Sequence, residues 1–373
     1  MTRCTSTLTG HTEAILQVCF SPDGSKLATA SGDKTVRLWD LLTETPIATL
    51  TGHTNWVQCV AWSANMSYLV SGSMDNTVRV WDPKTGKNLG NALKGHNDAV
   101  TSISFEPMHK NINCTVRVWD ATLRKLIFGL SQHTAAVMAV KWGGEDVIYT
   151  ASRDKSIKLW DSKEGKLIRT LNGHAHWINH IALTTDLVLR SGPFEPNSGI
   201  IGVPLKFSSA QEAFNKATER YQAHIKANSE KLVSCSDDFT LFLWDGLSSK
   251  KPITRMTGHQ QLVNNVCFSP DGRYLASAGF DKSVKLWDGK TGKFLTTLRG
   301  HVGAVYQVAF SPDSRLLISS SKDSTCKIWD LKTFKLKNDL PGHSDEVFAV
   351  DWCPMGWGGG SGGKDKCLKI WKC

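Results

Sequence analysis

The hydrophobic residues of the chain occur in short runs that are separated by polar turns. In the first such unit, apolar and β-branched residues dominate positions 15–20, 26–30 and 35–39. The turn between the first two runs reads Ser-Pro-Asp-Gly at 21–24, and a tight turn around Asp33 precedes the third run. Runs of this kind bounded by such turns predict β-strands. The pattern therefore predicts an all-β fold, in which some strands are apolar on both faces.

The same unit recurs along the whole chain with a period near 42 residues. Each unit opens with a His, which follows Gly in seven units and Gln in one, and each ends in a Trp that closes a strand. The histidines are His11, His53, His96, His133, His174, His259, His301 and His343. The tryptophans are Trp39, Trp81, Trp119, Trp160, Trp244, Trp287, Trp329 and Trp371. Eight such units predict a β-propeller of eight WD-type blades, with four strands in each blade.

The two ends of the chain predict how the ring closes. The first repeat His stands at position 11, and the last unit ends at Trp371 without an outer strand after it. We therefore expect the segment before His11 to supply the outermost strand of the last blade, which would remove an exposed sheet edge. The predicted fold is an all-β, eight-bladed WD-repeat β-propeller that is closed by an N-terminal strand, with residues 1–373 forming a single propeller.

Three units depart from the pattern. The third unit spans only 23 residues from His96 to Trp119, and its segment 106–115 lacks the Asp and a recognisable second strand. We interpret that blade either as degenerate or as a unit from which residues are missing. In the last unit, Gly residues replace most of the usual pattern at 357–363, and so many glycines should weaken a strand.

The fifth unit carries an excess of 42 residues between its His and its Trp. The excess equals one period, but residues 186–230 contain no Trp and no second Gly-His pair. Apolar residues recur at steps of three and four within 208–226, which predicts a helix. We therefore expect 186–230 to be a partly helical insertion between the first two strands of blade five.

A His, a hydroxyl residue, an Asp and a Trp recur in register in seven of the eight units. Seven near-identical copies cannot all be active sites, so we interpret the set as a buried hydrogen-bonded chain from Trp through the hydroxyl and His to Asp. The members assigned to this structural network are His11, Thr29, Asp33, Trp39, His53, Ser71, Asp75, Trp81, His259, Ser277, Asp281, Trp287, His301, Ser319, Asp323 and Trp329.

Composition excludes several classes of protein. Hydrophobic residues make up 40% and charged residues 21% of the chain, as in ordinary globular proteins. The sequence has no apolar run of the roughly 18 residues that a membrane helix needs, and its start has no secretory-signal pattern. The ten cysteines form no CxxC pair, so neither a zinc site nor a disulfide framework is predicted, and a reducing compartment fits best.

Charge and motifs favour a binding protein over an enzyme. The net charge of +10 suits contact with nucleic acid or an acidic partner, although Lys and Arg spread over solvated turns would give the same value. No phosphate-binding loop, metal-spaced His cluster or nucleophile elbow is present, so we predict no catalytic residue, no cofactor and no metal. His176 and His180 stand four residues apart, and we interpret them as satisfied or exposed histidines and not as metal ligands.

The residues that follow the repeat histidines are the candidates for partner contact. They lie in the loops that carry Gly-His, and they include aromatic and charged side chains that could be binding hot spots or simply loop packing. The candidates are Trp56, His176, Trp177, Gln261, Asp345 and Glu346. The insertion at 186–230 is a second candidate surface, because a long loop inside a compact repeat is usually functional or disordered.

Several phrases beyond the repeat itself resemble the Notchless family of WD-repeat ribosome assembly factors. The resemblance runs over nearly the whole chain, is more specific in the second half, and includes the helical insertion. The phrases lie at 173–179 (GHAHWIN), 188–192 (VLRSG), 236–244 (SDDFTLFLW), 258–264 (GHQQLVN), 300–308 (GHVGAVYQV) and 340–352 (LPGHSDEVFAVDW).

The resemblance implies a non-catalytic scaffold in the assembly of the large (60S) ribosomal subunit. Family members sit on the nucleolar and nuclear precursor particle, near rRNA and ribosomal proteins, and the giant ATPase midasin remodels that particle. In the family a ubiquitin-like domain, which contacts midasin through a metal site, precedes the propeller. Because this sequence starts at the closing strand, we expect that domain to be absent and do not predict direct midasin contact. We also expect no membrane association and a monomer outside the particle.

Two other classes of function are the alternatives. A generic WD-repeat adaptor, such as a substrate receptor of a ubiquitin ligase or a signalling scaffold, would bind peptides on the loops without dependence on RNA. A catalytic propeller would need acidic or His side chains that converge on the central channel, which the sequence does not show. Salt-sensitive association with RNA separates the ribosomal interpretation from the adaptor.

Overall fold

The chain folds into eight four-stranded antiparallel sheets that form a ring. The computed structural model describes residues 3–106, 111–114, 117–144, 146–196, 207 and 209–372. We number the sheets 1 to 8 in chain order, and we give the strands of each sheet from the innermost strand outward. Each innermost strand contacts the innermost strand of the next sheet, and the innermost strands of sheets 8 and 1 contact each other, so the ring is continuous.

The first strand of the chain and sheets 1 to 4 account for the first half of the ring. Strand β1 spans Arg3–Leu8. Sheet 1 contains β2 (Ile15–Phe20), β3 (Lys26–Ser31), β4 (Val36–Asp40) and β5 (Thr45–Leu50). Sheet 2 contains β6 (Val57–Trp62), β7 (Leu69–Ser73), β8 (Thr77–Trp81) and β9 (Leu93–Lys94). Sheet 3 contains β10 (Ile103–Phe105), β11 (Asn111–Cys114), β12 (Arg117–Asp120) and β13 (Lys125–Gly129). Sheet 4 contains β14 (Val137–Trp142), β15 (Val147–Ser152), β16 (Ser156–Asp161) and β17 (Leu167–Asn172).

Sheets 5 to 8 complete the ring, and two helices follow the first strand of sheet 5. Sheet 5 contains β18 (Ile178–Leu183), then helices α1 (Asp186–Ser191) and α2 (Ala210–Ala227), then β19 (Leu232–Ser236), β20 (Leu241–Trp244) and β21 (Thr254–Met256). Sheet 6 contains β22 (Val263–Phe268), β23 (Tyr274–Gly279), β24 (Ser283–Asp288) and β25 (Phe294–Arg299). Sheet 7 contains β26 (Val305–Phe310), β27 (Leu316–Ser321), β28 (Cys326–Asp330) and β29 (Lys335–Leu340). Sheet 8 contains β30 (Val347–Trp352), β31 (Gly358–Gly363) and β32 (Leu368–Lys372), with β1 outside them.

The N-terminal strand closes the ring, as the sequence predicts. β1 pairs antiparallel with β32, from Arg3 opposite Lys372 to Leu8 opposite Leu368. This pairing supplies sheet 8 with its fourth strand and covers the free edge of β32. The core lies between neighbouring sheets, where apolar side chains of one sheet pack on the next, and the repeat tryptophans of seven sheets are at most 1% exposed.

Sheet 3 differs from the sequence expectation. The chain does form a second strand there, since β11 pairs with β10 on one side and with β12 on the other. The expectation that this unit lacks a second strand is therefore wrong. The unit is short because the connection from β11 to β12 has only two residues (115–116), whereas the corresponding connection in sheet 1 has four (32–35). The Asp-bearing turn of the other sheets cannot fit in so short a link.

The glycine-rich segment of the last unit, in which many glycines are expected to weaken a strand, forms a strand in the structure. All six residues of β31 are buried, and they pair with β30 and β32. A Cβ on Gly362 would lie 2.5 Å from Cγ2 of Ile15, and one on Gly360 would lie 2.9 Å from Cδ1 of Leu27. Side chains of sheet 1 therefore fill the space that side chains of β31 would otherwise take.

The insertion is anchored to the ring at both of its ends. Before β19, the Glu230 carboxylate accepts hydrogen bonds from the Tyr149 hydroxyl (2.9 Å), the Thr185 hydroxyl (2.9 Å) and the Gly144 amide (3.1 Å). Helix α2 begins at a Ser209 cap and is held against α1 by Arg220, which donates to carbonyl oxygens just after α1. Among the described residues, neither helix is long and apolar enough to cross a membrane.

Candidate functional site

The repeated polar residues form one hydrogen-bonded chain in each of seven sheets. In sheet 1 the Trp39 indole donates to the Thr29 hydroxyl (2.9 Å), which lies 2.7 Å from Nε2 of His11. The other ring nitrogen of His11, Nδ1, lies 2.7 Å from Oδ2 of Asp33. All four polar groups thus have partners in a buried environment, where an unpaired group would be costly.

The same chain connects the corresponding residues elsewhere. In sheets 2, 6 and 7 it joins His53, Ser71, Asp75 and Trp81; His259, Ser277, Asp281 and Trp287; and His301, Ser319, Asp323 and Trp329. In sheets 4, 5 and 8 it joins His133, Thr150, Asp154 and Trp160; His174, Ser234, Asp238 and Trp244; and His343, Ser361, Asp365 and Trp371.

In sheet 2 the hydrogen-bonded chain favours an ionised Asp75 and a neutral His53. Burial tends to raise the pKa of Asp75, but hydrogen bonds from the Thr77 hydroxyl and His53, among others, bring it down to about 2. Burial also lowers the pKa of His53 below its ordinary value, although Asp75 opposes this shift. An ionised Asp beside a neutral His, with Nδ1–H donating to Asp and Nε2 accepting from the hydroxyl, satisfies every group. Such a set has no free base or nucleophile to offer a substrate.

Sheet 3 has no complete copy of this chain among the described residues. The strand register places Cys114 where Thr29 stands in sheet 1, because Cys114 lies opposite Arg117 and Thr29 lies opposite Arg37. Trp119 packs beside His96, with ring centroids 6.4 Å apart, and its buried indole nitrogen has no hydrogen-bond partner in the described part of the chain. Among the side chains of sheet 3 that the structure describes, packing of Trp119 on His96 takes the place of the hydrogen-bonded chain.

The proposed partner-contact residues all lie on one face of the ring. We call this the loop face, because it carries the His-bearing loops and the Asp-bearing turns; the opposite, turn face carries the connections between first and second strands, such as 21–25 and 311–315. Trp56 is 51% exposed and Trp177 is 41% exposed. The Arg153 guanidinium lies 4.5 Å from the Trp177 ring centroid, so Trp177 also packs against sheet 4.

The other four candidates divide into exposed and paired side chains. Gln261 is exposed. His176 is half exposed and lies 3.6 Å from Asp237. Asp345 lies 3.4 Å from Lys364 within sheet 8. Glu346 accepts a hydrogen bond from the Tyr306 hydroxyl at 2.7 Å and also lies 3.9 Å from Lys322, so it links sheet 8 to sheet 7.

These six residues do not form one site. They are spread over sheets 2, 5, 6 and 8, and the loop face is the only feature they share. Glu346 and Trp177 already contact neighbouring sheets, whereas Trp56 and Gln261 present the freest side chains of the six. In the described residues, no group of three or more His, Cys, Asp or Glu side chains is arranged to hold a metal ion.

Part of the positive charge of the chain belongs to Arg and Lys side chains that lie within the sheets. In seven sheets an Arg or Lys stands two residues before the Trp and is buried or half-buried. Three of the lysines donate to a hydroxyl on the outer strand, for example Lys285 to Thr297 at 3.0 Å. Sheet 5 has Phe242 at this position, and Arg255 of the outer strand lies over its ring. Because these seven cations are buried or half-buried, the net charge of +10 overstates the positive charge that the faces expose.

A further set of functional groups was not predicted from the sequence. Polar side chains on the inner strands accept hydrogen bonds from the backbone of the next sheet. At the third position of their strands, Gln17 accepts from Val60 (2.6 Å), Asn265 from Val308 (3.3 Å) and Gln307 from Val350 (3.1 Å). Ser102, directly before β10, accepts from Val140 (3.2 Å). The signal in the sequence is a polar residue amid apolar ones at this place in several of the repeats. All four groups tie neighbouring sheets together, and Gln17, Asn265 and Gln307 also line the central cavity.

Comparison with known proteins agrees with this geometry. The WD domain, G-beta repeat family matches residues 2–40, 44–82, 124–161, 221–245, 250–288, 292–330 and 334–372. The chain belongs to the WD-repeat family. Seven repeats are matched, one fewer than the eight WD-type blades expected, and the unmatched stretch between 82 and 124 contains most of sheet 3. That sheet has the strands of a blade but not the His, hydroxyl and Asp pattern by which the family is recognised.

The resemblance to Notchless proteins is confirmed. The WD-repeat chain is 52% identical to Protein Notchless of Drosophila melanogaster over 281 residues, which cover 73% of this chain and 57% of that protein. It is 55% identical to the Notchless protein homolog of Arabidopsis thaliana, over 79% of this chain and 63% of that protein. It is 48% identical to Ribosome assembly protein 4 of Saccharomyces cerevisiae, over 79% of this chain and 60% of that protein.

The chain thus spans about three fifths of the length of these relatives. A solved structure, the computationally designed Ika8 protein, covers the whole chain with a TM-score of 0.77 and 26% sequence identity. This likeness extends over all eight sheets, including the third. None of the families or proteins named here is an enzyme by its description.

Proposed function

We propose that the chain is a non-catalytic scaffold in the assembly of the large (60S) ribosomal subunit. The observation that carries the proposal is the 48% identity over 79% of the chain to a protein named for ribosome assembly. The proposed partners are the pre-60S particle, its ribosomal proteins and its rRNA, and the proposed location is the nucleolus and nucleus. The proposal includes remodelling of the particle by the midasin ATPase, and it requires no direct contact between midasin and the sheets.

The chemistry of the described residues supports binding over catalysis. The one constellation that resembles a catalytic triad is buried and fully paired in seven copies, so it serves the fold. The loop face offers exposed aromatic and amide side chains, and large aromatic residues are enriched among those that dominate binding energies. Trp56 is the strongest candidate, because half of its side chain is exposed and no cation covers it.

The scaffold proposal is tested by density-gradient sedimentation of lysates that contain the tagged chain, with and without RNase. We expect sedimentation with large-subunit precursors that is lost after RNase treatment and weakened by salt. Sedimentation as a small complex at a position that RNase does not change would refute the proposal. It would leave a generic WD adaptor, such as a ubiquitin-ligase substrate receptor, as the alternative. Fluorescence microscopy of the same tagged chain tests the nucleolar and nuclear location.

The contribution of the loop face is tested with two variants. Trp56→Ala removes the exposed ring on the loop face, and Leu42→Ala removes a side chain that is 61% exposed beside the turn face. We expect the first variant to leave the precursor fraction and the second to remain in it. The reverse result would place the binding surface on the turn face.

A further inference from the structure

The fifth residues of the seven six-residue inner strands, together with Ser104 of the shorter β10, form a ring around the central channel near the turn face. Six of the eight residues are small: Cys19, Ala61, Ser104, Ala182, Cys267 and Ala309. The other two are charged. They are Lys141 of sheet 4 and Asp351 of sheet 8, which stand four sheets apart and therefore on opposite sides of the ring.

Helix α1 lies at this level of the channel. A cavity of about 320 Å³ is lined jointly by residues of α1 and by the inner strands of all eight sheets. Asp186, at the start of α1, lies 3.0 Å from Nζ of Lys141. Arg190, near its end, donates two hydrogen bonds to Asp351, at 2.8 and 2.5 Å. The small residues of the ring leave the room that a helix needs.

The two ion pairs admit only one orientation of the helix. Turning α1 end for end would place Asp186 near Asp351 and Arg190 near Lys141, and like charges at close range repel. Asp351 is 7% exposed and also accepts hydrogen bonds from the backbone amides of Phe20 and Trp352. Loss of the Arg190 charge would leave a nearly buried carboxylate without a cation, which is strongly unfavourable.

We propose that α1 is a plug that closes the turn-face mouth of the channel and is held by the two ion pairs at opposite sides of the ring. The seated plug connects sheets 4, 5 and 8 across the channel, and through Arg220 it also fixes α2 on the turn face. The channel then opens only at the loop face, so a partner that inserts a side chain into the channel must approach from there.

The reactivity of two cysteines reports whether the plug is seated. Cys19 and Cys267 belong to the ring beneath α1, and burial raises the pKa of Cys19 to about 11, which keeps its thiol protonated and slow to react. Cys59, Cys235 and Cys326 lie within the sheet cores and react only when the fold opens. Labelling with N-ethylmaleimide, followed by mass spectrometry of the peptides, measures both groups of thiols in one sample.

We expect Arg190→Met to raise the labelling rates of Cys19 and Cys267, and the amide hydrogen exchange of α1, by at least about tenfold. The control Arg190→Lys, which keeps the charge, should change them much less. Labelling of the three core cysteines should stay at the level of the parent chain; a rise there would report unfolding instead of release of the plug.

If Arg190→Met does not fold, charge reversal of the Lys141–Asp186 ion pair tests whether the plug depends on its ion pairs. Lys141→Asp alone and Asp186→Lys alone each create a like-charge pair, and both should expose Cys19 and Cys267. The double variant restores an ion pair in the opposite sense and should restore protection. Unchanged labelling in both folded single variants, or a double variant as exposed as the singles, would overturn the proposal.

Discussion

Replacement of Thr29 by Val removes one hydroxyl from the hydrogen-bonded chain of sheet 1 while keeping the shape of the side chain. Thr29 is fully buried, and its hydroxyl serves both the Trp39 indole and Nε2 of His11. Each buried polar group left without a partner costs about 1–3 kcal/mol. With two groups affected, we expect Thr29→Val to lower the free energy of unfolding by about 2–6 kcal/mol.

The matched control is Thr29→Ser, which keeps the hydroxyl and removes a methyl group. Ser fills this position in sheets 2, 5, 6, 7 and 8, so its hydroxyl can make the same two bonds. Loss of one buried methyl group costs about 1 kcal/mol. The more apolar variant should thus be the less stable one, which is the opposite of what burial of apolar volume alone would give.

Urea-induced unfolding followed by tryptophan fluorescence measures the global effect. Hydrogen exchange of residues 26–40 measures the local effect in sheet 1, where Thr29→Val should accelerate exchange more than Thr29→Ser. If Thr29→Val proves as stable as Thr29→Ser or more so, the hydroxyl contributes nothing, and the repeated polar set is a by-product of packing.

Three further outcomes are expected. Acid should destabilise the fold in two stages: the pKa of His53 is lowered in the fold, so stability falls as the pH drops below about 6.5. The pKa of Asp75 is lowered to about 2, so further stability is lost as the pH falls from about 3.8 to about 2. Urea unfolding at a series of pH values measures both stages, and a stability profile that is flat from pH 7 to pH 4 would contradict the neutral His53. Gly362→Ala should destabilise the chain by about 1–3 kcal/mol, because the added Cβ would overlap side chains of sheet 1. The control Gly32→Ala should not destabilise it, because the added Cβ would make only ordinary contacts. Equal melting temperatures of the two variants would refute this reasoning. The two carboxylate oxygens of Glu230 together accept from three donors, and Glu230→Gln replaces one of these oxygens with an NH2 group that cannot accept. It should therefore accelerate hydrogen exchange in α1 and α2 and leave sheets 1 and 7 unchanged; uniform acceleration would show that Glu230 supports the whole ring.

The features that repeat were predictable from the sequence. The spacing of His, hydroxyl, Asp and Trp places the four groups in register on adjacent strands, and the structure brings them within hydrogen-bond distance in seven sheets. The closing strand was predictable for a different reason. A repeat that ends on its third strand leaves an unpaired edge, and β1 is the segment left to cover it.

The features that occur once were not predictable. The second strand of sheet 3 contains two Asn residues, which are depleted in strands, and its pairing comes from the neighbours on both sides. The strand at Gly358–Gly363 is stable because side chains of sheet 1 pack on it, a contact that no local pattern reveals. The pairing of Arg190 with Asp351 joins residues 161 positions apart, and its only trace in the sequence is a charge where most repeats have a small residue.

The pairing of β1 with β32 also has a consequence for biosynthesis. Residue 372 is synthesised 369 residues after its partner, residue 3. Until then the nascent chain carries β1 as an unpaired strand and a growing, incomplete arc of sheets with an open edge. Exposed edges of this kind promote misassembly, and contacts between distant residues form slowly. The ring therefore cannot become complete before β32 has been synthesised, and a chain that terminates before β32 is expected to aggregate.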